Sequence, residues 1–193
     1  MSKTVLISGS SSGIGLETAR RFARAGWTVV AGMRNPTERH TLLHDERTVN
    51  IVELDVTDNN SIKKAVEYTV ENFGSIDVLV NNAGYALTGV FEYYEEDKVK
   101  KQMDTNFFFF FFLTKEVLPY MRNQKGGTII NVASVGGRVT FPFYSFYNAT
   151  KWAVEGFSES LQHELVQFNI RIKIVEPGPV KTDFYDRSME KFT

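Results

Sequence analysis

Residues 4–15 read TVLISGSSSGIG, an apolar and partly β-branched run that leads directly into a turn rich in glycine and serine. Residues 16–25 then place apolar side chains at helical spacing, and Gly26 is typical of a helix terminus. Residues 27–31 form a second apolar run, as expected of a buried strand. Together they predict a β-α-β unit that is complete within about thirty residues.

The same alternation continues along the chain. Strands are predicted at residues 49–54, 76–80, 128–132 and 171–175, and helices at 37–44, 61–73, 95–122 and 144–168. Asp58 or Asn59 is expected to cap the helix at 61–73. Because parallel strands are joined through helices by right-handed crossovers, this order predicts an α/β fold. We expect a doubly wound parallel sheet, ordered 3-2-1-4-5-6, with helices on both faces.

The composition is that of an ordinary globular chain, and we expect one domain over residues 1–193. A formal net charge of −1, with scattered Lys and Arg, argues against a nucleic-acid partner. The lack of cysteine predicts no disulfide and no thiolate metal site, and favours a reducing, cytoplasmic location. The longest apolar run, residues 107–113, is too short to cross a bilayer, so we expect a soluble protein without a signal peptide or a membrane partner.

Glycines recur in the first turn as Gly9-x-x-x-Gly13-x-Gly15, a spacing that differs from the commoner G-x-G-x-x-G pattern. They would let the backbone turn tightly and approach a pyrophosphate, whose charge would meet N–H groups at the start of the helix. The hydroxyls of residues 10–12 could donate further hydrogen bonds to the pyrophosphate. A bare loop is the alternative, and the position between strand and helix disfavours it.

Ligands bind at the carboxyl ends of the strands in such a sheet, so the residues after each strand are candidates for function. After the second strand comes Arg34 with no carboxylate, which favours NADP over NAD, a solvated surface role being the alternative. Asp55 could accept a hydrogen bond from an adenine amino group or form a turn with Asp58, and the sequence leaves both open. Residues 81–84, Asn-Asn-Ala-Gly, could pass under a nucleotide or form an ordinary turn.

Tyr147 and Lys151 lie four residues apart in a predicted helix, so their side chains share one face. The pair could be a partly buried ring beside a solvated cation. Hydride transfer to a carbonyl, however, needs a proton donor and a hydrogen-bond donor at the developing alkoxide. A phenol titrates near pH ~10, so a nearby cation is needed to favour its phenolate. We therefore expect Tyr147 as the acid, Lys151 as the cation and Ser134 as the donor to the carbonyl oxygen.

These motifs together resemble the classical short-chain dehydrogenases/reductases. The matching motifs, in the family's order, are Ser8-Gly9-x-x-x-Gly13-Ile14-Gly15, Asp55-Val56, Asn81-Asn82-Ala83-Gly84, Asn106, Ser134, Tyr147-x-x-x-Lys151 and Pro177-Gly178-x-x-x-Thr182. The resemblance implies a Rossmann-type fold and an NAD(P)-dependent oxidoreductase that acts on a small-molecule carbonyl or alcohol. It implies a catalytic triad of Ser134, Tyr147 and Lys151, with Asn106 as a fourth member that helps carry a water linking Lys151 to solvent.

The resemblance also implies that the turn from Gly9 to Gly15 holds the pyrophosphate and that Thr182 reaches the nicotinamide amide. The expected cofactor-binding residues are Gly9, Ser11, Ser12, Gly13, Ile14, Gly15, Arg34, Asp55, Val56, Asn82, Ala83, Gly84, Tyr147, Lys151, Pro177, Gly178, Val180 and Thr182. No metal is expected, and NADP is favoured as the cofactor.

The chain departs from the family at two points. Phe109 stands where members commonly have glycine, so we expect overpacking of roughly 1 to 3 kcal/mol or displacement of Asn106. Members usually continue for several dozen residues, with a substrate loop, a seventh strand and a last helix. We therefore expect a chain shortened at its carboxyl end, without one wall of the substrate pocket, whose residues from 184 onward are mobile.

Six consecutive phenylalanines at residues 107–112 would wrap the whole circumference of a helix. Core packing should account for about half of these positions. We expect another subunit to cover part of the rest, in a homodimer or homotetramer built from the two long helices, as the resemblance also implies.

The visible side of the pocket is aromatic, because residues 141–146 read FPFYSF. This favours an apolar substrate, such as an aromatic, retinoid-like or steroid-like molecule, with core packing of the rings as an equal alternative. Two other functions stay open. One is a catalytically weak nucleotide-binding regulator or scaffold; the other is a sugar-nucleotide epimerase or dehydratase, although those chains are longer and usually differ in glycine spacing.

Overall fold

The computed structural model describes residues 2–37, 42–45, 48–182 and 189–192. The strands are β1 Thr4–Ile7, β2 Thr28–Met33, β3 Val49–Glu53, β4 Val78–Asn81, β5 Ala86–Gly89, β6 Gly127–Val132, β7 Ile170–Val175 and β8 Met189–Phe192. The α-helices are α1 Gly13–Arg24, α2 Asn59–Phe73, α3 Glu96–Met103, α4 Phe109–Asn123 and α5 Ser145–Leu165.

Six strands form a parallel sheet in the order β3-β2-β1-β4-β6-β7. Counted along this sheet, the order is 3-2-1-4-5-6, which confirms the predicted topology. In the centre, Val5 of β1 is paired in register with Val29 of β2 and Val78 of β4. All of β1 is buried, as expected of a parallel strand covered on both sides.

Helices cover both faces of the sheet, and the alternation of side chains along β1 shows how. Leu6 belongs to the core cluster that includes side chains of α2, α4 and α5. Val5 and Ile7 belong to a second cluster, which includes side chains of α1. Because successive residues of a strand point to opposite faces, two cores form on one sheet.

α2 has a cap at each end, and the first of them is one of the two residues that the sequence predicts. Oδ1 of Asp58 accepts a hydrogen bond of 2.9 Å from the backbone N–H of Asn60, so Asp58 is the N-cap. Gly74 ends the helix with a φ of 80°, a conformation that glycine adopts without strain. Of the helix expected at residues 37–44, residue 37 lies in a turn, residues 42–45 form one 3₁₀ turn, and residues 38–41 lie outside the described part.

The long helix predicted at residues 95–122 is interrupted. α3 and α4 are joined by a π-helical turn, Asp104–Phe108. In such a turn the hydrogen bonds run from i to i+5, so the chain rotates less per residue than in an α-helix. The faces of α3 and α4 are consequently rotated relative to each other, compared with those of a continuous helix.

The phenylalanine run divides at this point. Phe109 and Phe110 are fully buried, and Phe107 packs against the same core cluster. Phe108, Phe111 and Phe112 are exposed. Half of the rings therefore belong to the core, as predicted.

β5 and β8 form a separate parallel pair, with Ala86 opposite Met189 and Thr88 opposite Lys191. The prediction of a mobile carboxyl-terminal segment is wrong for residues 189–192, because they are hydrogen-bonded as a strand. Residues 184–188 and 193 lie outside the described part of the chain. None of the helices in that part combines the length and the apolar character that a membrane span needs.

Candidate active site

A cleft of about 890 Å³ lies at the carboxyl ends of the central strands. Most of the residues predicted from the sequence line it, because the topology brings the end of every parallel strand to one edge. The predicted residues on its wall are Gly9, Ser11, Ser12, Gly13, Ile14, Arg34, Asp55, Val56, Asn82, Ala83, Gly84, Ser134, Tyr147, Lys151, Pro177, Gly178, Val180 and Thr182. Gly15 and Asn106 are not on the wall and contact residues that are.

The glycine turn needs glycine for its conformation and for space. Gly9 and Gly13 have φ values of 68° and 56°, in the left-handed region. A Cβ atom on Gly9 would lie 2.8 Å from Cα of Ala83, and one on Gly15 would lie 2.3 Å from the carbonyl oxygen of Gly9. α1 begins at Gly13 on the cleft wall, so the positive end of its dipole lies where an anion can approach.

A second loop fixes the shape of this turn. The Nδ2 atom of Asn82 donates to the carbonyl oxygens of Ser8 at 3.0 Å and Gly9 at 3.1 Å. The hydroxyl oxygen of Ser8 accepts from the backbone N–H groups of Asn82 and Ala83. Residues 81–84 therefore act as a brace for the glycine turn, a role that local sequence patterns do not indicate.

Arg34 and Asp55 both border the cleft, Arg34 as an exposed residue and Asp55 as part of a hydrogen-bonded turn. Arg34 directly follows β2 and is exposed. The Oδ1 atom of Asp55 accepts hydrogen bonds from the backbone N–H of Thr57 at 2.9 Å and from its hydroxyl at 2.7 Å. The turn role of Asp55 is thus present in the structure, and a contact with adenine stays a prediction.

Lys151 is almost completely buried beside Tyr147. It is 5% exposed, its Nζ atom lies 5.8 Å from the centre of the Tyr147 ring, and it donates a 2.9 Å hydrogen bond to the carbonyl oxygen of Val132 at the end of β6. Burial lowers the pKa of Lys151 to about 8, and the negative charge of Glu155 partly opposes this. The lysine is therefore a cation that can exchange its proton close to neutral pH.

Ser134 and Tyr147 border the same small space. Ser134 caps a 3₁₀ turn, Val135–Gly137, by accepting a 3.0 Å hydrogen bond from the N–H of Gly136. A Cβ atom on Gly136 would lie 3.3 Å from Cε1 of Tyr147 and 3.4 Å from Oγ of Ser134. The missing side chain at Gly136 leaves room for the Tyr147 ring and the Ser134 hydroxyl on either side of this position.

Asn106 is fully buried in the π-helical turn behind the cleft. Its Oδ1 accepts from the backbone N–H of Tyr85 at 3.0 Å, and its Nδ2 donates to the carbonyl of Tyr85 at 2.7 Å and to the hydroxyl of Thr150 at 3.3 Å. A Cβ atom on Gly84 would lie 3.3 Å from Oδ1 of Asn106 and 4.0 Å from Nζ of Lys151. Asn106 therefore holds the loop after β4 close to Lys151.

The expectation that Phe109 would displace Asn106 is wrong. Phe109 is fully buried in the main core cluster, and Asn106 keeps all three of these hydrogen bonds. The physical reason is the π-helical turn, which rotates residue 109 away from the face that carries Asn106.

Tyr85 was missed by sequence reasoning although it follows the Asn-Asn-Ala-Gly loop directly. The pKa of Tyr85 is raised to about 12, chiefly by burial and also by the charges of Glu190 and Asp104, while the charge of Arg34 opposes them. Met189 and Glu190 also line the cleft, and Glu190 forms an ion pair with Lys98 of α3. No local signal could have placed β8 there, because its partner β5 is about a hundred residues away. The described residues contain no group of three His, Asp or Glu side chains that could hold a metal ion.

The chain is similar to several curated oxidoreductases. It is 42% identical over 192 residues to "Oxidoreductase BOA17" of Botryotinia fuckeliana, covering 98% of this chain and 70% of that protein. It is 40% identical over 190 residues to the 3-ketodihydrosphingosine reductase of Bacteroides thetaiotaomicron, covering 98% and 68%. It is 42% identical over 197 residues to retinol dehydrogenase 8 of Bos taurus, covering 98% of this chain and 62% of that protein. The chain thus spans about two thirds of the length of these relatives.

Solved structures show the same fold. A short-chain dehydrogenase from Streptomyces avermitilis superposes with a TM-score of 0.92 at 34% identity, covering 99% of this chain and 71% of that one. The structure "ElxO with NADP Bound" superposes with a TM-score of 0.91 at 32% identity, covering 97% and 77%.

The family model described as short chain dehydrogenase matches residues 3–191. This match, the relatives and the superposed structures agree with the resemblance that the motifs indicate. The chain therefore belongs to the short chain dehydrogenase family, whose members are NAD(P)-dependent oxidoreductases.

Proposed function

We propose that the protein transfers a hydride between NADP and a small, apolar carbonyl or alcohol, with Tyr147 as the proton donor and acceptor. One observation carries this proposal: Tyr147, the buried cation of Lys151 and the hydroxyl of Ser134 meet in the cleft that the glycine turn also lines. The arrangement joins a phosphate-binding turn to a proton-transfer group in one space.

The cleft fits a dinucleotide. The glycine turn leaves no room for side chains at Gly9 and Gly15, so its backbone can approach a pyrophosphate closely. Thr182 lies beside the same turn, since a Cβ atom on Gly13 would be 3.6 Å from Cβ of Thr182. We assign pyrophosphate binding to the turn and an amide contact to Thr182. When bound, the nicotinamide supplies or accepts the hydride.

Arg34 favours NADP within this proposal. It stands at the end of β2, where a carboxylate would favour NAD and a cation accommodates the added phosphate. It borders the same cleft as Tyr85, and its positive charge opposes the rise in the pKa of Tyr85. The solved relative with bound NADP supports the same choice.

The proton chemistry follows from three side chains. The hydroxyl of Ser134 already accepts from the N–H of Gly136, so its own hydrogen can point to a substrate carbonyl oxygen. Tyr147 gives its proton to that oxygen as the alkoxide develops. The Lys151 cation favours the phenolate that remains. In the direction of alcohol oxidation the same groups act in reverse.

Asn106 has a supporting role in the proposal. It fixes the backbone of Tyr85 and contacts Thr150, whose hydroxyl donates to the carbonyl oxygen of Tyr147. This position agrees with the role that the resemblance implies, in which Asn106 helps carry a water between Lys151 and solvent. Phe109 is one reason for the alternative of a weakly active regulator or scaffold, and the hydrogen bonds of Asn106 give that reason no support.

The substrate is proposed to be apolar. Phe141, Pro142, Tyr144 and Met189 line the same cleft as Tyr147, and the rings of Tyr144 and Tyr147 are 6.0 Å apart. Phe141 and Phe143 are 40% and 63% exposed, which argues against core packing of the whole aromatic segment. Two relatives are named for apolar substrates, retinol and a ketodihydrosphingosine. We therefore propose a long or ring-containing apolar carbonyl or alcohol.

The assembly is proposed to be a homodimer or homotetramer through α4 and α5. Phe111 and Phe112 on α4 and Trp152 on α5 are large exposed apolar side chains on these helices. Covering them would remove apolar surface from water. A cytoplasmic location, expected from the lack of cysteine, stays a prediction.

The oxidation of NADPH, followed by its absorbance, tests this function with a panel of aldehydes and ketones that ranges from short polar to long apolar. We expect turnover with apolar carbonyls. Tyr147→Phe should abolish it, whereas Tyr68→Phe, the same change on α2, should not. If NADPH binds but no carbonyl is reduced, the binding-module alternative gains support; preference for polar carbonyls would contradict the proposed substrate class.

A further inference from the structure

A third functional group continues the face of α5 that carries Tyr147 and Lys151. Glu155 lies one helical turn beyond Lys151, so the three side chains recur at a spacing of four. Glu155 is only 4% exposed. Neither of its carboxylate oxygens has a hydrogen-bond partner among the described residues. A buried carboxylate is costly, so its presence next to the active site needs an explanation.

Glu155 connects α5 to the turn that carries Ser134. Its Oε2 atom lies 3.1 Å from Nη2 of Arg138, which directly follows the 3₁₀ turn Val135–Gly137. A Cβ atom on Gly137 would lie 3.0 Å from Cγ of Glu155 and 2.9 Å from the carbonyl oxygen of Lys151. The backbone of the Ser134 turn thus rests directly on Glu155 and Lys151.

The charges around Glu155 come from three elements. Lys151 and Glu159 lie on α5, Arg138 on the Ser134 segment, and Glu176 directly after β7. Arg138 also contacts Glu159 at 3.3 Å and Glu176 at 2.9 Å. Burial raises the pKa of Glu155, as do Glu176 and Glu159, while Arg138 and Lys151 lower it. The pKa of Glu155 is raised overall, and Arg138 is the strongest of the charges that favour its carboxylate form.

We infer that Glu155 is a positioning residue that supplies a buried negative charge one helical turn from the Lys151 cation and holds the Ser134 turn against α5. This inference rests on the proposed roles of Tyr147, Lys151 and Ser134. Its carboxylate is the charge that opposes the effect of burial on the pKa of Lys151. Glu155 thereby supports the cation that Tyr147 needs without touching the substrate.

Glu155→Gln removes the charge and keeps the shape, so it isolates this effect. We expect the pKa of Lys151 to fall by a further ~0.5 to 1 unit, because an opposite charge about one helical turn away is lost. The alkaline limb of the pH profile of kcat for carbonyl reduction should move to lower pH by the same amount. At pH 6, where Lys151 is protonated in both proteins, the affinity for NADPH should be unchanged.

Glu159→Gln is the matched control. Glu159 also lies on α5 and contacts the guanidinium of Arg138, but its side chain is 60% exposed. Its charge is not among those that shift the pKa of Lys151. The change in net charge is identical, and we expect no shift in the pH profile. A shift as large as that of Glu155→Gln would overturn the inference, because it would show a general charge effect.

The pKa of Lys151 can also be measured without cofactor or substrate. In protein with ¹³C-labelled lysine Cε atoms, an NMR titration reports each amine, and Lys151→Met identifies the signal of Lys151. A lower pKa in Glu155→Gln than in the wild type supports the inference, and equal values overturn it. If the wild type reduces no carbonyl, the proposed function fails, while this titration still decides the role of Glu155.

Glu155→Asp provides a second variant that keeps the charge on a shorter arm. We expect a pKa of Lys151 lower than in the wild type and higher than in Glu155→Gln. If Glu155→Gln does not fold, Glu155→Asp is compared with the wild type in its place. A uniform loss of rate at every pH, with no shift in the alkaline limb of the kcat profile in either variant, would show a purely structural role. That result would overturn the inference.

Discussion

Lys151 holds its ammonium group against the carbonyl oxygen of Val132, with 2.9 Å between Nζ and the oxygen, where β6 reaches the cleft. Val132 is also the last residue of the strand that leads to Ser134. One hydrogen bond therefore fixes the cation of α5 to the sheet edge that presents the serine. The position of Lys151 is set by the sheet, and Tyr147 lies one turn away on the same helix.

Lys151→Met should abolish carbonyl reduction and yet stabilise the fold at pH 7. Burial lowers the pKa of Lys151 to about 8 from an ordinary value of 10.5, so the folded state binds this proton more weakly than the unfolded chain. The cost of burying the cation is therefore fully present below pH 8 and disappears as the pH rises to 10.5. After allowing for the lost hydrogen bond, we expect a gain on the order of 2 kcal/mol at pH 7. Urea unfolding at pH 7 and pH 10 measures it, and a gain that grows with pH would contradict this account.

Gly15→Ala should damage cofactor binding. Its Cβ would lie 2.3 Å from the carbonyl oxygen of Gly9 and 2.5 Å from Nδ2 of Asn82, so the turn and its brace would have to separate. We expect NADPH to bind at least about tenfold more weakly, which corresponds to an overpacking cost of roughly 1 to 3 kcal/mol. Titration of NADPH fluorescence measures the change.

Gly156→Ala is the control for this change. Gly156 lies in α5 with open space around the position of a Cβ atom. NADPH affinity should be unchanged, and the free energy of unfolding should rise by about 0.5 to 1 kcal/mol, because alanine favours the helix. Equal losses of affinity in both variants would argue against the glycine turn as the pyrophosphate site.

Arg34→Asp should change cofactor preference. Loss of a charge-assisted contact with the added phosphate is expected to weaken NADPH binding by roughly tenfold to a hundredfold, with a smaller effect on NADH. Calorimetric titrations with both cofactors measure the ratio. Arg24→Asp, at the end of α1, controls for net charge and should leave the ratio unchanged. Equal losses for NADPH and NADH in Arg34→Asp would exclude the phosphate role.

Phe111→Glu should dissociate the proposed assembly. A carboxylate on the exposed apolar surface of α4 cannot be buried cheaply between subunits. Light scattering should give twice or four times the chain mass for the wild type and the chain mass for the variant. Leu42→Glu, a similar change outside α4 and α5, should leave the mass unaltered. A wild-type mass equal to that of one chain would contradict an assembly.

The sequence predicts the sheet well because its signal is local. Each strand is a short apolar run, each crossover is a helix, and six such strands form two mononucleotide-binding halves, whose usual order is 3-2-1-4-5-6. The shared face of Tyr147 and Lys151 follows from helical geometry alone. Ser134 comes after β6, and it lies at the cleft because parallel strands end at the same edge of the sheet.

The features that the sequence does not predict depend on distant contacts. The π-helical turn at Asp104–Phe108 reconciles a buried Phe109 with a hydrogen-bonded Asn106, and no spacing rule anticipates it. β8 finds β5 across about a hundred residues, which brings Glu190 to the cleft. The burial of Glu155 depends on Arg138 and Gly137, which belong to another segment.

The central claim is that Tyr147 supplies the proton in hydride transfer. A single-turnover measurement tests it most directly: NADPH is first bound to the protein, a reducible apolar carbonyl is added, and the decay of NADPH absorbance is followed for the wild type, Tyr147→Phe and Tyr68→Phe. With each protein saturated with NADPH, we predict that Tyr147→Phe alone decays at least about a hundredfold more slowly. Decay of the Tyr147→Phe complex at the wild-type rate would contradict the assignment.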